Sequence, residues 1–160
     1  RPDLRDELHA QVTQSLEAGA VALTGCRPLE GPGCFYAPSI LDRVTPEQPA
    51  YHEELFGPVA IVIRAQDEDD ALAIANDSRF GLGGSVWTRD ARRGERFARR
   101  MDCGAAFVNG MVKSDPRLPF GGVKDSGYGR ELARLGMLEF VNAKTLWIAP
   151  AEGVGGSAVE

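Results

Sequence analysis

The run VAIVIRAQDEDDALAIANDSRFGLGGSVWTRDARRGERFARRMDCGAAFVN, residues 59–109, decides how this chain folds. It opens on Val59–Ile63, a continuous apolar and mostly β-branched stretch of the kind a buried parallel strand shows. Asp67 is placed to cap a helix reaching about Asp77, with Ala71, Ile74 and Ala75 on its apolar face. Gly84–Thr88 reads as a strand, and Asp90–Met101 as a helix burying Gly94, Phe97, Ala98 and Met101. Ala105–Asn109 reads as a further strand. Strand, helix, strand, helix, strand in alternation predicts an α/β fold with a mostly parallel sheet and flanking helices, because each parallel crossover lays a helix on the sheet face.

Upstream, Pro2 suits a first helical turn, and Leu4, Leu8, Val12 and Leu16 continue a helical stripe that Gly19 can end. Ala20–Thr24 follows as a short strand, and the turn Gly31-Pro32-Gly33 leads to a second strand over Phe35–Leu41. Downstream, residues 109–129 form a long Gly- and Pro-rich segment, and long loops of that kind are usually functional. A short helix over Arg130–Val141 and a closing strand over Lys144–Ala149 are expected next. Residues 150–160 are small and Gly-rich and are expected to be a disordered tail. The organisation expected is thus one α/β domain over 1–141, a separate strand within 142–149, and the tail.

At 160 residues the chain can bury roughly 70% of its unfolded surface. Its 43% hydrophobic and 26% charged residues are ordinary for a soluble domain. A net charge of −5 argues against a nucleic-acid partner, which needs a basic stripe to displace counterions. The densest basic run, Arg89–Arg100, alternates with acids and apolar residues at helical spacing and reads as a solvated helix face. Cys26, Cys34 and Cys103 have no metal-ligand spacing, so neither a disulfide framework nor a metal site is indicated. That cysteine usage suits a reducing cytoplasmic setting, and no apolar run reaches the ~20 residues of a membrane span. The chain begins with Arg1 rather than Met, and an upstream portion is expected to have been removed.

Two motifs carry chemistry. The first is Glu53-Glu54-Leu55-Phe56-Gly57-Pro58, directly before the Val59 strand, where α/β sheets gather ligands. A carboxylate there can accept hydrogen bonds from vicinal ribose hydroxyls, and an aromatic two residues on can pack against a flat nicotinamide ring. A surface acid and a core Phe would read the same way. The second motif is Pro119-Phe120-Gly121-Gly122-Val123-Lys124-Asp125-Ser126-Gly127-Tyr128-Gly129-Arg130-Glu131. Four glycines in nine residues let backbone pass close to itself or to a ligand. No G-x-G-x-x-G is present, since Gly81-Leu82-Gly83 and Gly127-Tyr128-Gly129 both fail at the last glycine, so a generic phosphate-loop domain is the least supported reading.

Together, in this order, the two motifs resemble the aldehyde dehydrogenase family. Asn76-Asp77-Ser78 with Gly81-Leu82, and Val108-Asn109, extend the resemblance from Arg1 to about Ile148. In that family a cysteine thiolate attacks the aldehyde, hydride passes to a nicotinamide, and an activated water hydrolyses the thioester. The resemblance implies NAD or NADP as cofactor, Glu54 holding the nicotinamide ribose and Phe56 packing near the nicotinamide. It also implies that the nucleophilic cysteine and the general-base glutamate lie upstream, that none of Cys26, Cys34 and Cys103 replaces the former, and that the chain alone is inactive. Within the family, residues 108–120 look most like succinate-semialdehyde dehydrogenases. Phe120 resembles the aromatic lining the aldehyde tunnel, and Ser114 matches a serine contacting the substrate's far carboxylate, with Lys113 and Arg117 as neighbouring cations. The small-molecule aldehyde is the expected substrate and a homo-oligomer, assembled through the closing strand, the expected state of the complete enzyme. The alternative is a non-catalytic fragment or assembly module of the same fold.

Overall fold

Proline at the second residue opens α1, Pro2–Glu17, in the computed structural model, which describes residues 1–150. Leu8, Val12 and Ser15 form the buried face of α1. Ser15 earns its place there by hydrogen bonding: its hydroxyl donates to the Gln11 carbonyl at 2.8 Å and accepts from the Ala50 amide at 3.0 Å. Gly19, at φ +103°, lies just beyond the Ala18 cap and turns the chain out of the helix, as its sequence position predicts.

β1, Val21–Thr24, pairs antiparallel with β2, Ser39–Asp42, which pairs in parallel with β3, Val59–Ile61. A single-turn helix, α2, Pro49–His52, joins the last two. The buried core sits here: Leu8, Val12, Ala20, Cys26, Tyr36, Leu41, Val44 and Ala50, with Leu55, Val59, Ile61 and Ile63 packed against it. Two expectations change. The second strand begins at Ser39 rather than Phe35, because Tyr36 instead forms a bridge to Pro28 across the 28–36 loop. The Val59 strand is half-buried on one face only; Val62 on the other is 37% exposed, since none of the described residues covers that side.

The remaining elements form a second layer. α3, Glu68–Asn76, is capped by Asp67, whose carboxylate accepts from the Asp70 amide at 2.9 Å. Its buried residue is Leu72, not the Ala71, Ile74 and Ala75 face. β4, Phe80–Gly81, precedes β5, Gly83–Val86; α4, Ala91–Ala98, is capped by Asp90; β6, Ala105–Val108, lies parallel to β5. α4 stops at Ala98, short of Met101, which turns its methyl onto Gly84. Gly94 lets α4 lie directly on β6, since a Cβ there would stand 2.6 Å from Val108 Cγ1. The arginines of the 89–100 run are a solvated face: Arg93 pairs with Glu68, Arg99 with Glu95 and Arg100 with Asp69.

β7, Val123–Lys124, pairs antiparallel with β4, so the long segment after β6 doubles back on the start of the second layer. α5, Ala133–Leu138, is shorter than the expected 130–141 helix, because Leu132 at φ 64° holds the chain out of helical conformation just before it. The α/β class stands, but a mostly parallel sheet does not: three small sheets hold two parallel pairings, β2–β3 and β5–β6, and two antiparallel ones, β1–β2 and β4–β7. Lys144–Ala149 forms no strand among the described residues; Leu146, Trp147 and Ile148 are 77%, 86% and 79% exposed. All but the first residue of the expected 150–160 tail lies outside the described residues.

Candidate functional site

The turn carrying Glu54 and Phe56 is built from two successive i to i+2 hydrogen bonds, Gly57 N to Leu55 O and Val59 N to Gly57 O, each 2.8 Å. This tight path follows α2 and points both side chains away from the core. Phe56 is 68% exposed, against the alternative of a core phenylalanine. The Glu54 carboxylate is exposed and enters no hydrogen bond or ion pair among the described residues, whereas Glu53 accepts from Gln11 Nε2 at 2.8 Å. Glu54 is therefore an acceptor with its oxygens uncommitted, beside a bare aromatic face.

Glu54 and Phe80 border two cavities at once. One, of about 410 Å³, is walled by α1 together with Glu53, Phe56 and Arg79. The other, of about 370 Å³, continues past Asn76, Leu82 and Ser126. Leu82 and Ser126 also border a third cavity, of about 380 Å³, which Phe120 lines. Shared walls thus relate Phe56, Glu54 and Phe120 through three adjoining cavities. Ser114 is exposed on the 111–119 segment and lines none of these cavities.

The electrostatics of that segment correct one expectation. Arg117 is not a free cation: its guanidinium donates to both Asp115 oxygens, at 2.9 and 2.6 Å. That fork holds the Asp115 carboxyl down at about 2, well below the usual carboxylate range. Lys113 is exposed and enters no ion pair among the described residues, so it, rather than Arg117, is the cation beside Ser114.

The glycine motif is chiefly a packing device. A Cβ on Gly121 would stand 2.7 Å from the Gly129 carbonyl, and one on Gly122 would stand 2.8 Å from the Ser126 carbonyl. Ser126 in turn accepts from the Gly81 amide at 3.0 Å, and Phe120 and Glu131 exchange backbone hydrogen bonds at 2.9 and 2.7 Å. These contacts hold Phe120 to its cavity. Three residues with no role assigned from sequence do related work. Asn76 donates to the Arg100 carbonyl at 3.0 Å and accepts from the Asp102 amide at 2.8 Å. Lys124 donates to the Asn76 and Ser78 carbonyls at 2.8 and 2.9 Å. Asn109 brackets the Thr88 amide and carbonyl. Their partners are 21 or more residues away, so only the compositional oddity of polar residues at element ends could have flagged them.

None of the cysteines has nucleophile surroundings. Cys26 is buried and donates to the Thr24 carbonyl, and Cys103 donates to the Ala105 carbonyl. Cys34 shares a cavity with Phe56 and Arg5, but that guanidinium is held by Asp6 at 2.7 Å. Among the described residues no group of His, Cys, Asp and Glu is arranged to hold a metal ion, and no helix is long and apolar enough to cross a membrane.

An uncommitted acid, a bare aromatic and a glycine-folded loop thus border adjoining cavities of this α/β chain. A profile of the aldehyde dehydrogenase family matches residues 2–146, and the chain belongs to that family. It is 50% identical over 148 residues to a probable NADP⁺-dependent succinate-semialdehyde dehydrogenase of Synechocystis, covering 92% of this chain and 33% of that protein. It is 49% identical over 147 residues to a succinate semialdehyde dehydrogenase [NAD(P)⁺] of Escherichia coli, covering 92% and 32%. Among solved structures, succinic semialdehyde dehydrogenase from Streptococcus pyogenes in complex with NADP⁺ superposes with a TM-score of 0.90 at 35% identity, covering 94% of this chain and 33% of that one. The chain spans about a third of the length of the relatives it matches.

Proposed function

We propose that this chain is the cofactor-positioning and aldehyde-loop third of an NAD(P)-dependent aldehyde dehydrogenase that oxidises succinate semialdehyde to the dicarboxylic acid. The observation that carries this is the uncommitted Glu54 carboxylate beside the bare Phe56 ring, bordering cavities that adjoin the one Phe120 lines. The donor chemistry fits a nicotinamide riboside. Two carboxylate oxygens can accept from vicinal hydroxyls, and the Phe56 face can lie against a flat ring. When bound, NAD or NADP supplies the hydride acceptor. The chain's own part is to hold that acceptor at the reacting carbon, where small displacements cost rate. Ser114 and Lys113, a hydroxyl and a cation that enters no ion pair among the described residues, suit the far carboxylate of a semialdehyde, in keeping with the names of the relatives. The nucleophile and general base belong to other parts of the enzyme, and the catalytic-domain portion comprises residues 1–141.

In a complete enzyme containing this segment, Glu54→Gln is expected to weaken cofactor binding and lower kcat on the order of 10–100-fold, leaving KM for aldehyde within about twofold. Equal losses in cofactor and aldehyde terms would refute the role. Ser114→Phe is expected to raise KM for succinate semialdehyde roughly tenfold while sparing small aliphatic aldehydes. Parallel kinetics on the two substrates test it, and an equal loss on both would remove Ser114 from the carboxylate subsite.

A second reading, an assembly module, is favoured by one observation. Phe140, Leu146, Trp147 and Ile148 are all bare, at 92%, 77%, 86% and 79% exposed. We propose that residues 142–149 add to a strand edge of another subunit, since an extended apolar segment pairs readily. Truncation after Val141 is expected to abolish association in sedimentation equilibrium; an unchanged mass would dismiss this strand.

A further inference from the structure

We propose that Gln11 is a positioning residue for the Glu54 carboxylate, an inference that rests on the cofactor role just given to Glu54. α1 touches the 50–57 segment at three points in antiparallel order. Ser15 accepts from the Ala50 amide at 3.0 Å. Gln11 Nε2 donates to Glu53 Oε2 at 2.8 Å and reaches the Glu54 carbonyl at 3.4 Å. Leu8 packs on Gly57 so closely that a Cβ there would overlap its Cδ2. Steps of four and three along one helix keep these three side chains on a single face, so the helix acts as a ruler for the turn.

The two outer contacts fix the ends of the segment, and the middle one decides where Glu54 sits. Glu7, Glu53 and Glu54 place three carboxylates around one cavity of about 410 Å³. Gln11 supplies a neutral donor that ties the Glu53 carboxylate to α1 and, through the Glu54 carbonyl, anchors the backbone of the next residue. The Glu54 carboxylate itself enters no hydrogen bond or ion pair among the described residues. Gln11 itself is half-buried at the rim of the helix's apolar face, so its side chain has a restricted set of rotamers in which to make these contacts.

The test measures equilibrium affinity for NADPH and NADH by fluorescence quenching, together with cofactor KM, aldehyde KM and Tm, in a complete enzyme containing this segment. Gln11→Ala is expected to weaken cofactor affinity roughly tenfold with aldehyde KM unchanged. Added to Glu54→Gln, it is expected to cause no further loss, because both act through one carboxylate. The swap Gln11→Glu with Glu53→Gln reverses donor and acceptor across the Glu53 contact but leaves the Glu54 carbonyl without its donor, and is expected to recover part of the affinity that Gln11→Ala loses. If Gln11→Ala fails to fold, Gln11→Leu, which keeps the packing of α1, takes its place. Unchanged affinity with a lowered Tm, additive losses in the double variant, or no recovery in the swap each overturns the proposal. If Glu54→Gln itself leaves affinity unchanged, the cofactor role of Glu54 falls first, which separates that failure from one confined to Gln11.

Discussion

Purified as the 160-residue chain, the protein is expected to produce no reduced nicotinamide from succinate semialdehyde and to bind NAD and NADP no more tightly than millimolar. Thiol and general base act as a unit in covalent catalysis, and losing either costs on the order of 10⁴–10⁶ in kcat. Cys26 and Cys103 spend their sulfur contacts on backbone carbonyls, and Cys34, though it shares a cavity with Phe56, has its neighbouring arginine held by Asp6. Cofactor affinity is limited by the same inventory. Charge-assisted bonds from Glu54 contribute about 1.5–3 kcal/mol and the Phe56 face about 0.5–1.5 kcal/mol, against an association cost of ~4–15 kcal/mol. Calorimetric titration with each dinucleotide and an absorbance assay check both statements. Micromolar affinity, or turnover that disappears on replacing Cys34, Cys26 or Cys103, would move the active site into this chain.

The second large effect is expected at Gly104. A Cβ there would overlap the Gly121 carbonyl oxygen and lie 2.7 Å from its carbon, so the added methyl meets backbone, not a side chain that can rotate away. Gly104 N also donates to the Gly81 carbonyl at 3.0 Å, which ties the approach to β6 to β4 and leaves little room to shift. Gly104→Ala is expected to destabilise the chain by about 3 kcal/mol, near the upper end of ordinary overpacking, and to lower Tm by roughly 6–12 °C. Gly110→Ala is the control: its nearest neighbours are 4.0 Å from a Cβ, so a change of less than ~0.5 kcal/mol is expected. Urea denaturation of the two variants side by side decides the matter, and equal midpoints would show that the glycine loop does not pack as described. Because Gly121 adjoins Phe120, the same substitution is expected to disturb the cavity that Phe120 lines.

Periodicity and capping chemistry are local, and what they govern was legible without coordinates. The 3.6-residue stripe of α1, the Asp67 and Asp90 caps, the Gly19 exit and the solvated arginine face of α4 all follow from neighbours a few residues apart. So did the family, because Glu54, Phe56 and the glycine loop stand in a distinctive order. Strand direction was legible only in part: β5 and β6 run parallel, as the alternation of strand and helix implies. Val123–Lys124 returns antiparallel to Phe80–Gly81 across more than forty residues, and no pattern within either stretch encodes that partner. Burial of the Val59 strand failed for a related reason: an apolar run states that both faces can be covered, while the tertiary structure decides which face is. At the site, residue type pointed to Glu54 and Phe56. The fold alone showed that Glu54 is uncommitted, that Asp115 takes up the charge of Arg117, and that Gln11, more than forty residues upstream, touches the turn. Sequence by itself determined the chemistry available to this chain, since that resides in side-chain type and local spacing. Tertiary structure decided which of those groups are already satisfied by one another, because hydrogen bonds and ion pairs are made between atoms that only folding brings within about 3 Å.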